Sequence, residues 1–183
     1  MATHAARLLA ASMFGLVLVS ATRSDADDMK RIRADSAYLQ AVIAGAADRS
    51  PTLRAIVQRI DASDVIVHVT CEHLNSAILE GRTMWVAASP GVRYLRVQVE
   101  CMLTRTELVA ILGHELQHVA EIAAALDVVD RRSFARLFNT IGFSTCHFGE
   151  QYETDRAIHA GEQVRQEFVS GRRAAPPRLT AAP

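Results

Sequence analysis

Residues 104–119 read TRTELVAILGHELQHV, and this stretch predicts the helix around which the rest of the chain must fold. Thr104 and Glu107 have the spacing of a capping box, so we expect the helix to begin here and to run to about residue 126. Apolar residues recur at the helical period through this range, namely Leu108, Ile111, Leu112, Val119, Ile122 and Leu126. Such a stripe is typical of an amphipathic helix with one buried face.

The same helix contains the pattern H-E-x-x-H at residues 114–118. Residues four apart project from one helical face, so the imidazoles of His114 and His118 can bind one Zn²⁺. Glu115 is then placed as a general base toward a water on the metal, which is the arrangement of zinc-dependent hydrolases, most often peptidases. Glu115 also falls inside the apolar stripe, where a carboxylate is costly unless a cation compensates it. Two half-buried histidines and a salt-bridged glutamate on an ordinary helix are the alternative.

A catalytic zinc needs three protein ligands and one open position, so a third ligand is expected after His118. Glu121 cannot reach the same ion from a continuing straight helix, and we interpret it as a surface or supporting carboxylate. Residues 150–170 are predicted to form the last helix, and there Glu153 is the first candidate. Glu150, one turn earlier on the same face, is its rival. The metzincin continuation H-E-x-x-H-x-x-G-x-x-H is absent, which excludes that class.

Several other side chains near these residues are weaker candidates. His147, His159 or Tyr152 could donate a hydrogen bond to a tetrahedral oxyanion. For each of them an exposed or packing role is the simpler interpretation, because nothing in the sequence determines the direction of the side chain. Glu162 and Glu167 lie farther along the last helix and are expected to be solvated.

The remaining pattern predicts a single α+β domain with a small, mainly antiparallel sheet. Alternating, β-branched stretches predict strands at residues 64–70, 83–88 and 93–100, the last two forming a hairpin. Strand 93–100 is a candidate edge strand that could hold an extended peptide by strand addition. Further helices are predicted at residues 33–47, 51–60 and 131–140.

Length and composition restrict the class of protein. The chain has 183 residues, with 20 basic and 20 acidic side chains, so its formal charge is zero and a nucleic-acid partner is not expected. Residues 1–21 have the features of a signal peptide whose apolar run is too short to span a membrane. We therefore expect an exported protein, periplasmic or secreted, with its domain at residues 22–170 and a disordered tail at 171–183.

Three cysteines would meet an oxidising compartment after export. Cys71 and Cys101 each lie at the end of a predicted strand and are the best-placed pair, whereas Cys146 lies in a loop near the proposed site. All three could equally be small buried apolar residues. The sequence does not determine an oligomeric state.

Residues 107–119, ELVAILGHELQHV, resemble the active-site helix of the CAAX-prenyl-endopeptidase-like gluzincins, which commonly read E-L-x-x-V-L-G-H-E-x-x-H. Residues 75–77 are similar to the N-A segment of that family, and residues 152–156, YETDR, to its E-Y-E-A-D-R segment. The resemblance implies a zincin-like fold and a zinc peptidase whose third ligand is a downstream glutamate.

One departure from that family concerns the third ligand. The zinc glutamate of the family is the first residue of E-Y-E-A-D-R, where this chain has Gln151, a neutral and poor zinc ligand. Either Glu153 has taken the role or the metal site is weakened. The chain also resembles small exported bacterial proteins with an HELQH helix and a later Y-E-T segment, which favours Glu153 and implies no particular substrate.

The sequence therefore predicts a zinc-dependent hydrolase, most simply a peptidase acting on a peptide or protein substrate. His114, His118 and Glu153 are the expected Zn²⁺ ligands and Glu115 the expected general base. The alternatives are a non-catalytic zinc-binding protein and a metal-free exported interaction domain.

Overall fold

The computed structural model describes residues 31–76, 79–144 and 152–174, with side chains through Gly171. Within these residues the chain has α+β architecture, with five helices and two small sheets. The elements in chain order are β1 (Ile32–Ala34), α1 (Ala37–Arg49), α2 (Pro51–Asp61), β2 (Val65–Glu72), β3 (Gly81–Ser89), β4 (Val92–Glu100), α3 (Arg105–Ala124), α4 (Arg131–Ile141), β5 (Phe143–Ser144), β6 (Tyr152–Glu153) and α5 (Asp155–Ala174).

The main sheet is mixed, so the prediction of a mainly antiparallel sheet is wrong. Its strand order is β1-β2-β4-β3, and only the β3–β4 hairpin is antiparallel, while β1–β2 and β2–β4 are parallel. The predicted hairpin is present, but β4 inserts between β2 and β3 instead of lying at the edge. Because β4 has a neighbour on each side, it cannot accept a peptide by strand addition. Within the described residues the edge beside β4 is β3.

The hydrophobic core lies between one face of this sheet and the helices. Alternate residues of the two central strands are fully buried, namely Val65, Val67, Val69, Leu95, Val97 and Val99. They join the buried stripe of α3, which packs closely against α5. Gly161 permits this approach, because a Cβ there would lie 3.1 Å from the Ala110 carbonyl oxygen and from His114 Cβ. Helix α3 therefore lies between the sheet and α5.

Helix α3 begins and ends close to its predicted limits. Thr104 and Glu107 form the expected capping box, with Glu107 N donating to Thr104 Oγ1 and Thr104 N donating to Glu107. The C-terminal end is held by Arg93 of β4, a buried residue that donates to the carbonyl oxygens of Ile122 and Ala123. It also donates to those of Ala125 and Val128.

The last helix differs from its prediction at both ends. It begins at Asp155 rather than near residue 150, because Thr154 caps it: Ala157 N donates to Thr154 Oγ1 and Ile158 N to the Thr154 carbonyl. The two residues before the cap form β6, which pairs with β5. Glu153 therefore lies on a short strand, not on a helix. The helix also continues to Ala174, beyond the predicted end at residue 170.

The amino-terminal part of the structure differs from the prediction in one further respect. Helix α1 begins at Ala37, after the cap Ser36, instead of at residue 33. The three residues of β1 before it pair with β2 and were not predicted, because so short a strand shows no periodicity. The expected signal peptide, Cys146 and the tail from residue 175 lie outside the described residues. No described helix has the length and apolarity needed to cross a membrane.

Cys71 and Cys101 lie near each other, as their places at the strand ends suggested, but they are free thiols. Burial, followed by the hydrogen bond with Cys101, raises the pKa of Cys71 to about 12. This shift favours the protonated thiol of Cys71 at neutral pH.

Candidate metal centre

Three side chains from two separate elements converge beside α3. His114 and His118 lie one turn apart on α3, and Glu153 comes from β6. One ligand atom from each of the three lies within 4.8 Å of those from the other two. The imidazole rings have centroids 4.9 Å apart and are nearly perpendicular, and His114 Nε2 is 3.2 Å from Glu153 Oε2. The structure thus brings together the three residues that the sequence nominated as ligands.

One ring nitrogen of His118 has a hydrogen-bond partner, and the other has none among the described residues. Its Nδ1 lies 3.2 Å from Glu121 Oε2, and its buried Nε2 has no hydrogen-bond partner among the described residues. A buried polar atom normally has a hydrogen-bond partner or a bound ligand. The unpaired ring nitrogen, which lies beside a second imidazole and a carboxylate, is therefore a candidate ligand atom. Two imidazole nitrogens and one carboxylate oxygen form a ligand set that suits Zn²⁺.

Glu121 lies beside His118 and not at the surface, so of the two interpretations open from the sequence only that of a supporting carboxylate remains. It is buried, and it accepts hydrogen bonds from Thr154 Oγ1 at 3.0 Å and Gln117 Nε2 at 3.3 Å. Burial opposes its ionisation, but the contact with His118 and these donors outweigh that effect and lower the pKa of Glu121. In many zinc sites a carboxylate on Nδ1 of a histidine leaves Nε2 as the coordinating atom, and the contact between Glu121 and His118 has this form.

Glu115 is buried on the opposite side of the cluster, against strand β3. Its carboxylate accepts a 2.7 Å hydrogen bond from Thr83 Oγ1, and the residue is 5 % exposed. Burial raises the pKa of Glu115, against the opposing influence of His118 and His114 and of the Thr83 hydrogen bond. Gly81 allows the strand to come this close, because a Cβ there would lie 2.8 Å from Glu115 Oε1.

The charges around the two imidazoles favour a cation. Burial disfavours protonation of His114, but the nearby carboxylates of Glu153 and Glu115, and more distantly Glu121, outweigh it and raise the pKa of His114. Three carboxylates thus lie around the two imidazoles. A bound cation would offset this concentration of negative charge, which is costly in a buried site.

A cavity of about 300 Å³ opens beside these residues. Glu115, His118 and Glu153 line its polar end. Apolar side chains form much of its remaining wall, namely Leu79, Met84, Phe134, Phe138 and Tyr152. The Phe138 ring lies 5.3 Å from the His118 ring and 5.9 Å from that of Tyr152, so the aromatic wall begins at the candidate ligand itself.

The weaker candidates have diverse positions. Tyr152 lines the cavity, whereas His159 is exposed on α5 with its Nδ1 2.6 Å from the Asp155 carbonyl oxygen. Glu162 is exposed as expected, but the prediction that Glu167 is solvated is wrong. Glu167 is half-buried and accepts hydrogen bonds from three donors at the start of α2. His147, Glu150 and Gln151 lie outside the described residues.

Two residues of the site had no role in the sequence interpretation. Thr83 was only part of a predicted strand, and Thr154 only part of a predicted helix. Their hydrogen bonds to Glu115 and Glu121 join residues more than 30 positions apart in the chain. No local sequence pattern predicts such a contact. Thr154 had one recognisable signal, because threonine before Asp155 and an apolar run is a common helix cap.

No protein-family model, no curated protein and no solved structure matches this chain. The likeness to the CAAX-prenyl-endopeptidase-like gluzincins, the zincin fold and the zinc cofactor therefore stay predictions from the residues themselves.

Proposed function

We propose that this protein is a zinc-dependent hydrolase, most simply a peptidase. The observation that carries the proposal is the buried, unpaired Nε2 of His118, which lies with His114 and Glu153 in a group of suitable ligand atoms. The contact between Nδ1 of His118 and Glu121 supports it, because that contact leaves Nε2 as the free coordinating atom.

A metal that only stabilised the fold would need neither a base nor a cavity. Structural zinc sites usually have four protein ligands, whereas catalytic sites keep one position open. Here two of the three candidate ligands, His118 and Glu153, line a cavity of about 300 Å³, and the buried Glu115 lines the same cavity. This combination favours a hydrolase over a non-catalytic zinc protein.

The chemistry requires a proton carrier, and Glu115 is suited to that task. A bound Zn²⁺ supplies Lewis-acid polarisation of the scissile carbonyl and lowers the pKa of water. Glu115 removes the proton from the attacking water and later delivers it to the leaving amine. Thr83 holds the carboxylate in place in the lining of the cavity that Glu115 shares with His118 and Glu153.

The surroundings of the cluster suit an extended peptide. Strand β3 borders the cavity and has β4 as its only strand neighbour within the described residues, so its other edge can pair with a substrate strand. Tyr152 lines the cavity near Glu153 and is the best-placed candidate donor to a tetrahedral oxyanion.

The test combines metal content with peptide cleavage. Protein purified without chelator should contain one zinc ion per chain, and His118→Ala and Glu153→Ala should lose it. Glu115→Gln should keep the zinc and cleave a fluorogenic peptide library at least about 100-fold more slowly. Glu162→Gln, at an exposed position of α5, is the matched control and should change neither value.

Each measurement has a result that contradicts a specific part of the proposal. Protein without bound zinc, or zinc retained by His118→Ala, would exclude the metal centre. Full cleavage by Glu115→Gln would exclude the role of Glu115. Bound zinc together with no cleavage of any library peptide would favour the non-catalytic alternative.

A further inference from the structure

We propose that the cavity beside the metal centre selects peptides with a large apolar side chain next to a carboxylate, and that Arg131 binds this carboxylate. The inference rests on the proposed function, since it names the substrate class of the same site. The carboxylate belongs either to an acidic side chain or to the C-terminus of the peptide.

The aromatic wall of the cavity is the basis for the preference for a large apolar side chain. Phe134 and Phe138 are 8 % and 2 % exposed, and their rings lie 4.9 Å apart at an angle of 61°. Phe138 also stacks with Tyr152. Because each ring packs against its neighbours, the wall is preformed. The cavity volume of about 300 Å³ lies at the lower end of the usual range for ligand sites, and it is large enough for one large side chain.

Arg131 supplies a positive charge that no described side chain neutralises. It lines the cavity, its side chain is exposed, and it has no ion pair or hydrogen bond to another side chain within the described residues. The adjacent acid, Asp130, instead accepts hydrogen bonds from the backbone N and the Oγ of Ser133. The second arginine of the cavity, Arg82, is engaged by Gln98.

Local helix stability does not explain an arginine at this position. Arg131 is the first residue of α4, and a cation at a helix N-terminus is disfavoured by the helix dipole. An anion near the same residue would interact favourably both with the guanidinium and with the N-terminal end of the helix. The position therefore suits a bound carboxylate better than an unliganded surface.

The net charge of the cavity agrees with an anionic ligand. Two arginines, Arg82 and Arg131, and two glutamates, Glu115 and Glu153, line it, so their formal charges sum to zero. A bound Zn²⁺ would change this sum to +2. The buried, unpaired Nε2 of His118, to which the proposed Zn²⁺ would bind, lies in the same cavity lining, so the added charge would lie within the cavity. Charge complementarity of this kind contributes to specificity and to the rate of association.

The experiment measures peptide binding to the Glu115→Gln protein, which binds without cleaving. Four fluorescein-labelled peptides are compared by anisotropy: one with Phe-Glu and one with Phe-Gln inside an amidated chain, and two that end in Phe as the free acid or as the amide. The first pair reports an acidic side chain and the second pair a C-terminal carboxylate. Each titration is carried out on zinc-loaded and on metal-free protein.

We expect at least one carboxylate peptide to bind about fivefold more tightly than its neutral partner, as for a partly exposed arginine–carboxylate pair. Arg131→Gln should abolish this difference. Arg132→Gln is the matched control, because Arg132 is exposed on the same helix but does not line the cavity, and it should keep the difference. Replacing Phe by Ala in the peptide should weaken binding to every protein.

Equal binding of the acidic and neutral peptides in both pairs would overturn the inference, and so would a preference that persists in Arg131→Gln. These results are separable from a failure of the proposed function, which the zinc content and the cleavage by wild-type protein report. A carboxylate preference that depends on Arg131 in metal-free protein would uphold the inference even without bound zinc.

Discussion

The proposed metal centre makes a quantitative prediction about Glu121, a residue that does not belong to the ligand set. We expect Glu121→Gln to weaken zinc binding about 10-fold and Glu121→Ala about 100-fold, the range seen when the supporting partner of a histidine ligand is changed. The difference between the two variants follows from the contacts of the side chain, which is 3 % exposed.

Glutamine keeps an amide oxygen that can accept from His118 and Thr154, so only the negative charge is lost. A loss of about 10-fold corresponds to about 1.4 kcal/mol, which is the size of one charge-assisted hydrogen bond. Alanine also leaves His118 Nδ1 and Thr154 Oγ1 without their buried acceptor. The rotation of the imidazole is then unrestrained, and a second loss of similar size is expected.

Competition with a chromophoric chelator measures the zinc affinity of the wild-type and variant proteins. Circular dichroism and urea unfolding of the metal-free forms separate a loss of affinity from a loss of fold. If both variants fold and bind zinc as tightly as the wild type, Glu121 does not orient His118. An equal loss in both would indicate that the charge alone matters and that the hydrogen bonds do not.

Three further predictions concern the elements that hold the site in place. Arg93→Met should lower the free energy of unfolding by about 3–5 kcal/mol in urea titrations, because it removes a buried guanidinium and leaves several carbonyls at the end of α3 without a donor; a loss below about 1 kcal/mol would contradict this. The hydrogen bond from Arg93, opposed by burial, lowers the pKa of Asp64 below its ordinary value of 3.8. This pair therefore stabilises the fold above about pH 4 and ceases to do so as the pH falls through the lowered pKa, and Asp64→Asn should remove that part of the acid dependence of thermal unfolding. Glu167→Gln should cost about 1 kcal/mol in urea unfolding, because a neutral amide replaces the carboxylate at the N-terminus of α2; an unchanged midpoint would show that these hydrogen bonds contribute nothing.

Glu153 lies where the sequence interpretation expected it, beside the two histidines, but on a different local structure. The sequence interpretation placed this residue on a helix face, with Glu150 as its rival one turn earlier. In the structure the helix begins only after the Thr154 cap, and Glu153 reaches His114 from the short strand β6. The pairing of β6 with β5 directs the carboxylate, and a two-residue strand has no periodicity by which a sequence could reveal it.

The sheet shows the same limit at a larger scale. Alternation predicted the three longer strands and the hairpin of β3 with β4, since these depend on neighbouring residues. The placement of β4 between β2 and β3 depends instead on contacts between β2 and β4, about 28 residues apart in register. That placement makes β3, the strand that contacts Glu115, an edge strand among the described residues.

What the sequence determined by itself is the helix with its capping box and the spacing of His114, Glu115 and His118 upon it. Helical periodicity and capping act over three or four residues, so they can be read from the chain directly. Only the tertiary structure decided that Glu121 holds His118, that Thr83 holds Glu115, and that an aromatic cavity with Arg131 lies beside them. These contacts join parts of the chain that are brought together by burial of the core, and no local pattern encodes where such parts meet.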